Sequence, residues 1–177
     1  MKRRVVIGGL VGGIAMLAGA GVGIWQYRDH GSAQSRASPS LDVWTQTFES
    51  LAGPVTAMRA FHGRPLLLNF WATWCAPCVT EMPLLDAFFM SQPASSWHVL
   101  ALAIDQRPAV EGFVRDRGLK LPVAFAAEHG VDLSRDLGNK LGALPFTVAF
   151  GSDGHAAATK LGSVTQDLLS EWTSVIK

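Results

Sequence analysis

Cysteine is nearly absent: the 177 residues contain two, Cys75 and Cys78. Two cysteines cannot build the disulfide framework of a small secreted scaffold, and a structural zinc site would need two more ligands at suitable spacing. The five histidines (30, 62, 98, 129 and 155) are scattered singly and supply no such pair. A c-type haem site is excluded because Val79, not histidine, follows the second cysteine. Charge is also sparse and balanced, at 16% of residues with a formal net charge of +1. No cluster interleaves basic with aromatic residues, so nucleic acid is not an expected partner. The length suits one domain plus an accessory segment rather than two full domains.

The cysteines that are present lie together in Trp71-Ala72-Thr73-Trp74-Cys75-Ala76-Pro77-Cys78-Val79-Thr80-Glu81-Met82-Pro83, directly after the apolar run Leu66, Leu67, Leu68, Asn69, Phe70. That short uncharged run reads as a buried strand and the following residues as a helix, so the pair falls on a strand-to-helix turn. The first N–H groups of a helix lack internal partners, and its dipole is positive at that end. Both favour thiolate over thiol. The dipole contributes about 0.3–1 kcal/mol. A strongly favoured Cys75 thiolate therefore also needs N–H groups aimed at its sulfur, at about 1.5–3 kcal/mol for a charged hydrogen bond. The stretch reads as a redox centre. Cys75 is the outer member of the turn and the expected nucleophile, and Cys78, one turn further in, resolves the mixed disulfide.

Glu81 is three residues beyond Cys78, on nearly the same helix face. A carboxyl partly buried there has a raised pKa and can pass protons to and from the Cys78 sulfur. Ala76 and Pro77 lie between the sulfurs. Pro77 lacks an N–H and is pre-shaped for the first helical turn. Trp71 and Trp74 divide between core and rim, with Trp74 the one expected to face substrate.

At the N-terminus, Lys2, Arg3 and Arg4 precede a stretch from Val5 to Trp25 without a charge. As a helix it would span roughly 30 Å, the thickness of a bilayer's hydrocarbon core. Basic residues on its N-terminal side place the remainder outside the cytoplasm. Trp25 and Tyr27 suit the far interface. Its length favours an uncleaved anchor, while Ala18-Gly19-Ala20 fits a signal-peptide cleavage site and Arg3-Arg4 admits a twin-arginine signal. Gly8/Gly12, Gly9/Gly13 and Gly19/Gly23 carry G-x-x-x-G spacing, which can pack transmembrane helices. Every version exports the domain. The expected division is therefore an anchor or signal over residues 1–28, a Ser/Ala/Gly/Pro-rich tether over 29–40, and one folded domain over 41–177.

Within that domain, Thr45–Leu51 and Val55–Met58 flank the turn signal Ala52-Gly53-Pro54 as a hairpin. After the redox turn, Val79, Met82, Leu85, Phe88 and Phe89 mark a buried helix face interrupted by Pro83, which costs the helix a hydrogen bond. Val99–Ile104 reads as a strand, and Pro108 opens a helix to Arg117 that Gly118 stops. Further elements are a strand over Leu121–Ala126, a helix over Leu133–Leu141, and strands over Phe146–Phe150 and Ala156–Leu161 joined at Ser152-Asp153-Gly154. A final helix opens with a Ser163/Gln166 capping box and carries an apolar stripe of Leu168, Leu169, Trp172 and Ile176. Strands alternating with helices and then an antiparallel hairpin imply an α/β domain whose central mixed sheet is flanked by helices.

The tryptophan-flanked C-x-x-C, with Glu81 and Pro83 behind it and Leu144-Pro145 before a hairpin, resembles the thioredoxin superfamily. Within it the likeness is to the membrane-tethered TlpA/ResA group of thiol-disulfide oxidoreductases. The likeness covers about Leu41 to Lys177. It implies a thioredoxin-like fold with an N-terminal hairpin and a helix–strand insertion, which Pro108 to Ala126 would occupy. Thioredoxin proper has an acid in the strand before the motif where this chain has Asn69. The TlpA-like group commonly has asparagine there and carries its acid at the place of Glu81. The resemblance also implies a cis Pro145 facing the disulfide, which leaves the Leu144 backbone to pair with an extended substrate segment. Leu144 departs from the threonine common in relatives that handle cytochrome c maturation. No cofactor is implied beyond the cysteine pair. The implied partners are a disulfide-containing protein, such as apocytochrome c or a copper-site protein of respiratory oxidases, and a transmembrane thiol donor of the DsbD/CcdA type. Two alternatives stand beside this reading. One is a disulfide-forming oxidant, and the other a Cu(I)-binding metallochaperone-type module using the two thiolates as soft ligands. A peroxidase of related fold fits less well, because Thr73 is only two residues ahead of Cys75.

Overall fold

Leu66–Trp71 is buried at every position, the signature of a strand covered on both faces. In a computed structural model of the protein, which describes residues 42–53, 55–93, 96–126 and 129–177, this strand (β3) is an interior strand of a seven-stranded sheet. These residues belong to one unit, Ser38–Lys177. The expected anchor, its glycine pairs, the tether and Pro54 lie outside the described residues. The strands are β1 (Thr47–Ser50), β2 (Thr56–Ala57), β3, β4 (His98–Ala103), β5 (Val123–Phe125), β6 (Phe146–Phe150) and β7 (Ala156–Leu161), in the order β2-β1-β5-β4-β3-β6-β7. β3, β4 and β5 run parallel, and β1, β6 and β7 join antiparallel, so the sheet is mixed as expected. The helices are α1 (Ala76–Ser91), α2 (Arg107–Arg117), α3 (Gly130–Asp136) and α4 (Gln166–Val175).

Period-two alternation along the central strands builds two cores. Leu67 and Trp71 of β3 with Val99, Ala101 and Ala103 of β4 face one way, under Cys78, Met82, Leu85 and Phe88 of α1 and Leu169 and Trp172 of α4. Leu66, Leu68, Phe70, Leu100 and Leu102 face the other way, against Leu133 of α3 and, from the N-terminal segment, Val43 and Met58. The same alternation sends Asn69 to the face that α1 covers. The register pairs it with Thr147 of β6, which is also fully buried.

The insertion is α2 followed by β5, which slots between β4 and the N-terminal hairpin. Gly118 stops α2 at φ 64°, the left-handed conformation that glycine tolerates. Asp86 of α1 ties the insertion down by accepting from the amides of Lys120 at 2.6 Å and Leu121 at 2.8 Å.

Three expectations require correction. α3 begins at Gly130 and ends at Asp136, earlier than expected at both ends, because Gly138 turns the chain out of the helix at φ 109°. Gly130 itself packs so closely that a Cβ there would lie 2.6 Å from Ile104 and Ala126 side-chain atoms. α4 is capped not by Ser163 but by Thr165, whose Oγ1 accepts from the Leu168 amide at 3.2 Å. Val79, Phe89 and Leu168 are only half-buried, flanking their helix stripes rather than centring them. Replacing Thr165 by alanine should lower stability by about 1 kcal/mol in urea unfolding. Ser163→Ala, which removes no cap, should change it by less than about 0.5 kcal/mol.

Candidate active site

β3 ends at Trp71, and the chain must turn before α1 can pack back over the sheet. The turn is held on both sides. The Ile104 amide donates to the Trp71 carbonyl at 2.9 Å, and the Cys75 amide to the Ala72 carbonyl at 3.2 Å. Asp105, the second residue beyond β4, accepts from the Thr73 amide at 2.7 Å and the Thr73 hydroxyl at 2.5 Å through one oxygen. Its other oxygen accepts from the Gln106 amide at 2.6 Å. Sequence reasoning ended the strand at Asp105 but missed this role, since nothing local links it to Thr73.

Cys75 is the N-cap of α1 and is joined to Cys78 by a disulfide. The Cys78 amide donates to the Cys75 sulfur at 3.3 Å, which is the N–H contact the helix-terminus reading required. Cys75 is 6% exposed and Cys78 fully buried, so Cys75 is the outer sulfur, although only slightly. Around it Trp74 is 70% exposed and Ala76 and Pro77 are exposed, while Trp71 is wholly buried against Phe113. The two tryptophans thus divide as expected between rim and core.

Glu81 is buried on the inner face of α1. One carboxylate oxygen accepts from Asn69 Nδ2 at 2.9 Å and the other from the Val164 amide at 2.8 Å. Asn69 Nδ2 also donates to Thr147 Oγ1 at 3.0 Å. Loss of hydration raises the Glu81 pKa, and the Val164 and Asn69 hydrogen bonds only partly offset it. Asn69 carried a faint sequence signal as a polar residue inside an apolar run. Val164 carried none, because it acts through its backbone.

The Leu144–Pro145 peptide is cis. Leu144 packs on the cluster that contains both cysteines, and the Pro145 carbonyl accepts from the Gly162 amide at 2.9 Å. Next along that loop, the Ser163 hydroxyl donates to the Pro77 carbonyl at 3.4 Å. The structure therefore brings Cys75, Cys78, Glu81, Pro77 and Pro145 into one neighbourhood, with residues 162–164 tied to three of them. Among the described residues no group of three or more His, Cys, Asp or Glu side chains could hold a metal ion.

A disulfide on the first turn of a helix, inside a sheet of this topology, defines a thiol-disulfide oxidoreductase of thioredoxin-like fold. The Redoxin family profile matches residues 43–175. The thiol-disulfide oxidoreductase ResA of Bacillus cereus is 28% identical over 166 residues, 92% of each chain. ResA of Bacillus subtilis is 23% identical over 177 residues, covering 99% of this chain and 95% of its own. Among solved structures, StoA from Bacillus subtilis superposes with a TM-score of 0.57 at 23% identity, covering 72% of this chain and 95% of its own. MTB DsbF, in mixed oxidised and reduced forms, superposes with a TM-score of 0.66 at 22% identity, covering 77% and 98%. The chain belongs to the Redoxin family, as a ResA-like member of the thioredoxin superfamily.

The Glu81 environment makes stability depend on pH. The folded chain holds this proton to higher pH than the unfolded chain, whose value is near 4.5. The associated stability is complete below that value and is lost as pH rises through the raised folded value. Urea midpoints should therefore fall for the wild type relative to Glu81→Gln as pH rises from about 4.5 towards neutrality. Parallel curves for the two proteins would contradict this.

Proposed function

We propose that this oxidoreductase is an extracytoplasmic, membrane-anchored reductant of disulfides in partner proteins. The observation that carries the reading is the Cys75 sulfur at the N-cap of α1, facing the Cys78 amide, with the Glu81 carboxyl buried one turn behind Cys78. In the reduced form, the Cys75 thiolate attacks one sulfur of the substrate disulfide. That S–S bond breaks, a mixed disulfide forms, and the second substrate sulfur leaves as a thiolate. The Cys78 thiol passes its proton to Glu81 and its sulfur attacks Cys75, closing the Cys75–Cys78 disulfide and releasing the first substrate sulfur. Two electrons pass to the substrate, and its two thiolates take up the protons that the enzyme's thiols gave up. Burial suits Glu81 to this step, because a carboxylate whose pKa is raised is a better base.

In this reading Trp74, Ala76 and Pro77 form the exposed rim that meets the substrate, and the Leu144–Pro145 arm offers its backbone to an extended segment. The Cys75–Cys78 pair is recharged by a transmembrane thiol donor of the DsbD/CcdA type. The uncharged stretch after Lys2, Arg3 and Arg4 supports residues 1–28 as the anchor and 29–40 as the tether of a domain spanning 41–177. The substrates that fit are cysteine pairs of apocytochrome c or of copper-site proteins.

Cys78→Ser in the native host should leave substrate covalently attached to Cys75, recoverable under non-reducing conditions and released by a reductant. Glu81→Gln should slow disulfide reduction about a hundredfold and remove one ionisation from the pH–rate curve. An unchanged curve would refute the proton role. In fractionated cells the chain should sit in the membrane at full mass and be digested by protease added to spheroplasts. A soluble, shortened product would replace the anchor by a cleaved signal.

A further inference from the structure

A proton carrier buried in a protein core must be solvated in two states, with and without its proton. The neighbours of Glu81 show how this chain can do so. Its oxygens face the Val164 amide, which can only donate, and the Asn69 side-chain amide, which can donate or accept. In the structure Asn69 donates to both Glu81 and Thr147, while its own Oδ1 is a buried acceptor with no partner. That arrangement suits an ionised Glu81, which accepts only.

We propose that Asn69 and Thr147 form an amide–hydroxyl switch that keeps Glu81 hydrogen-bonded in both of its protonation states. The proposal rests on the reading of Glu81 as proton carrier. When the oxygen facing Asn69 gains a proton, its O–H needs an acceptor, and a half-turn of the amide brings Oδ1 there. Oxygen and NH2 are nearly the same size, so the turn disturbs the packing little. It does move the NH2 to the buried place where Oδ1 has no partner, a cost that the new bonds from Glu81 and Thr147 to Oδ1 must offset. Thr147 permits it because a hydroxyl accepts as readily as it donates: it accepts from Nδ2 in one state and donates to Oδ1 in the other. One proton is added, the Asn69 amide turns and the Thr147 hydroxyl rotates. Burial, the Val164 amide and Asn69 account for the displaced Glu81 titration, with no charged side chain among the causes. Cys78 on the same helix does not titrate while the disulfide is closed. Asn69 is thus a positioning residue that follows the proton.

The switch can be read in the oxidised full-length chain without any turnover. The sequence has only two asparagines, Asn69 and Asn139, so selective labelling leaves two side-chain amide signals in NMR. Asn139 bonds to Ser134 and the Ala143 carbonyl, neither of which titrates, and serves as the internal control. Above the Glu81 midpoint the Asn69 amide protons should show a nuclear Overhauser effect to Thr147. Below it that effect should vanish, while the Asn139 pattern stays constant. An effect that persists unchanged over the whole pH range in which the chain is folded overturns the switch. Asn69→Leu, which can neither donate nor accept, removes a partner from both states and should raise the Glu81 midpoint by less than about one pH unit. A rise of about one to two units is the loss of one charged hydrogen bond from the ionised state alone, and it would show a fixed donor instead. Neither outcome bears on the proton role itself, which stands or falls on the pH–rate curve of Glu81→Gln.

Discussion

A carboxyl inside an apolar core is the constraint around which the rest of the site is arranged. Taking a carboxylate from water is unfavourable unless hydrogen bonds replace its hydration. Here the replacements come from two separate places, the centre of β3 and the loop after β7. Neither donor is adjacent to Glu81 in the chain, so the carboxyl is satisfied only when the sheet has its correct register and α4 is docked. The alternation that places Asn69 opposite Leu68 is therefore part of the chemistry as well as the packing. A one-residue slip of β3 would turn Asn69 to the other core.

Along one helix Cys75 and Glu81 meet opposite environments. At its start, the Cys75 sulfur is met by an amide and by the positive end of the helix, both of which favour negative charge. One and a half turns later, burial opposes negative charge on Glu81. Opposed environments of this kind separate the roles of two acidic groups. The helix start favours negative charge on the Cys75 sulfur, and burial favours the protonated form of Glu81.

Much of this was legible in the sequence because it is local. Leu66–Phe70 carries its burial in its composition, and the cysteines, Pro77 and Glu81 carry their relation in their spacing. The hairpins announce themselves at Ala52-Gly53 and Ser152-Asp153-Gly154. What escaped were contacts between residues far apart. Asp105 reads as a strand terminator until the sheet places it beside Thr73, 32 residues away. Val164 reads as a plain apolar residue, and its contribution is a backbone amide that any residue but proline would supply. The cap of α4 shows a third kind of difficulty. Ser163 and Thr165 are both cap-type residues, and the helix starts at Gln166, so Thr165 caps it while the Ser163 hydroxyl donates to the Pro77 carbonyl. Pro145 is a case where spacing alone would have assigned no more than a strand start, and the resemblance to the TlpA/ResA group supplied the rest.

The short segment Gly162-Ser163-Val164 touches the Pro145 carbonyl, the Pro77 carbonyl and the Glu81 carboxylate with three successive residues. Gly162 reaches this position at φ 86°, a conformation that side chains resist. Pro77 and Glu81 sit on the first turns of α1 and Pro145 on the arm before β6, so the segment acts as a crossbar between that helix and that arm. The cis-proline arm, the first turn of α1 and the buried acid thus share one anchoring segment, so a substitution that displaces it would disturb all three at once.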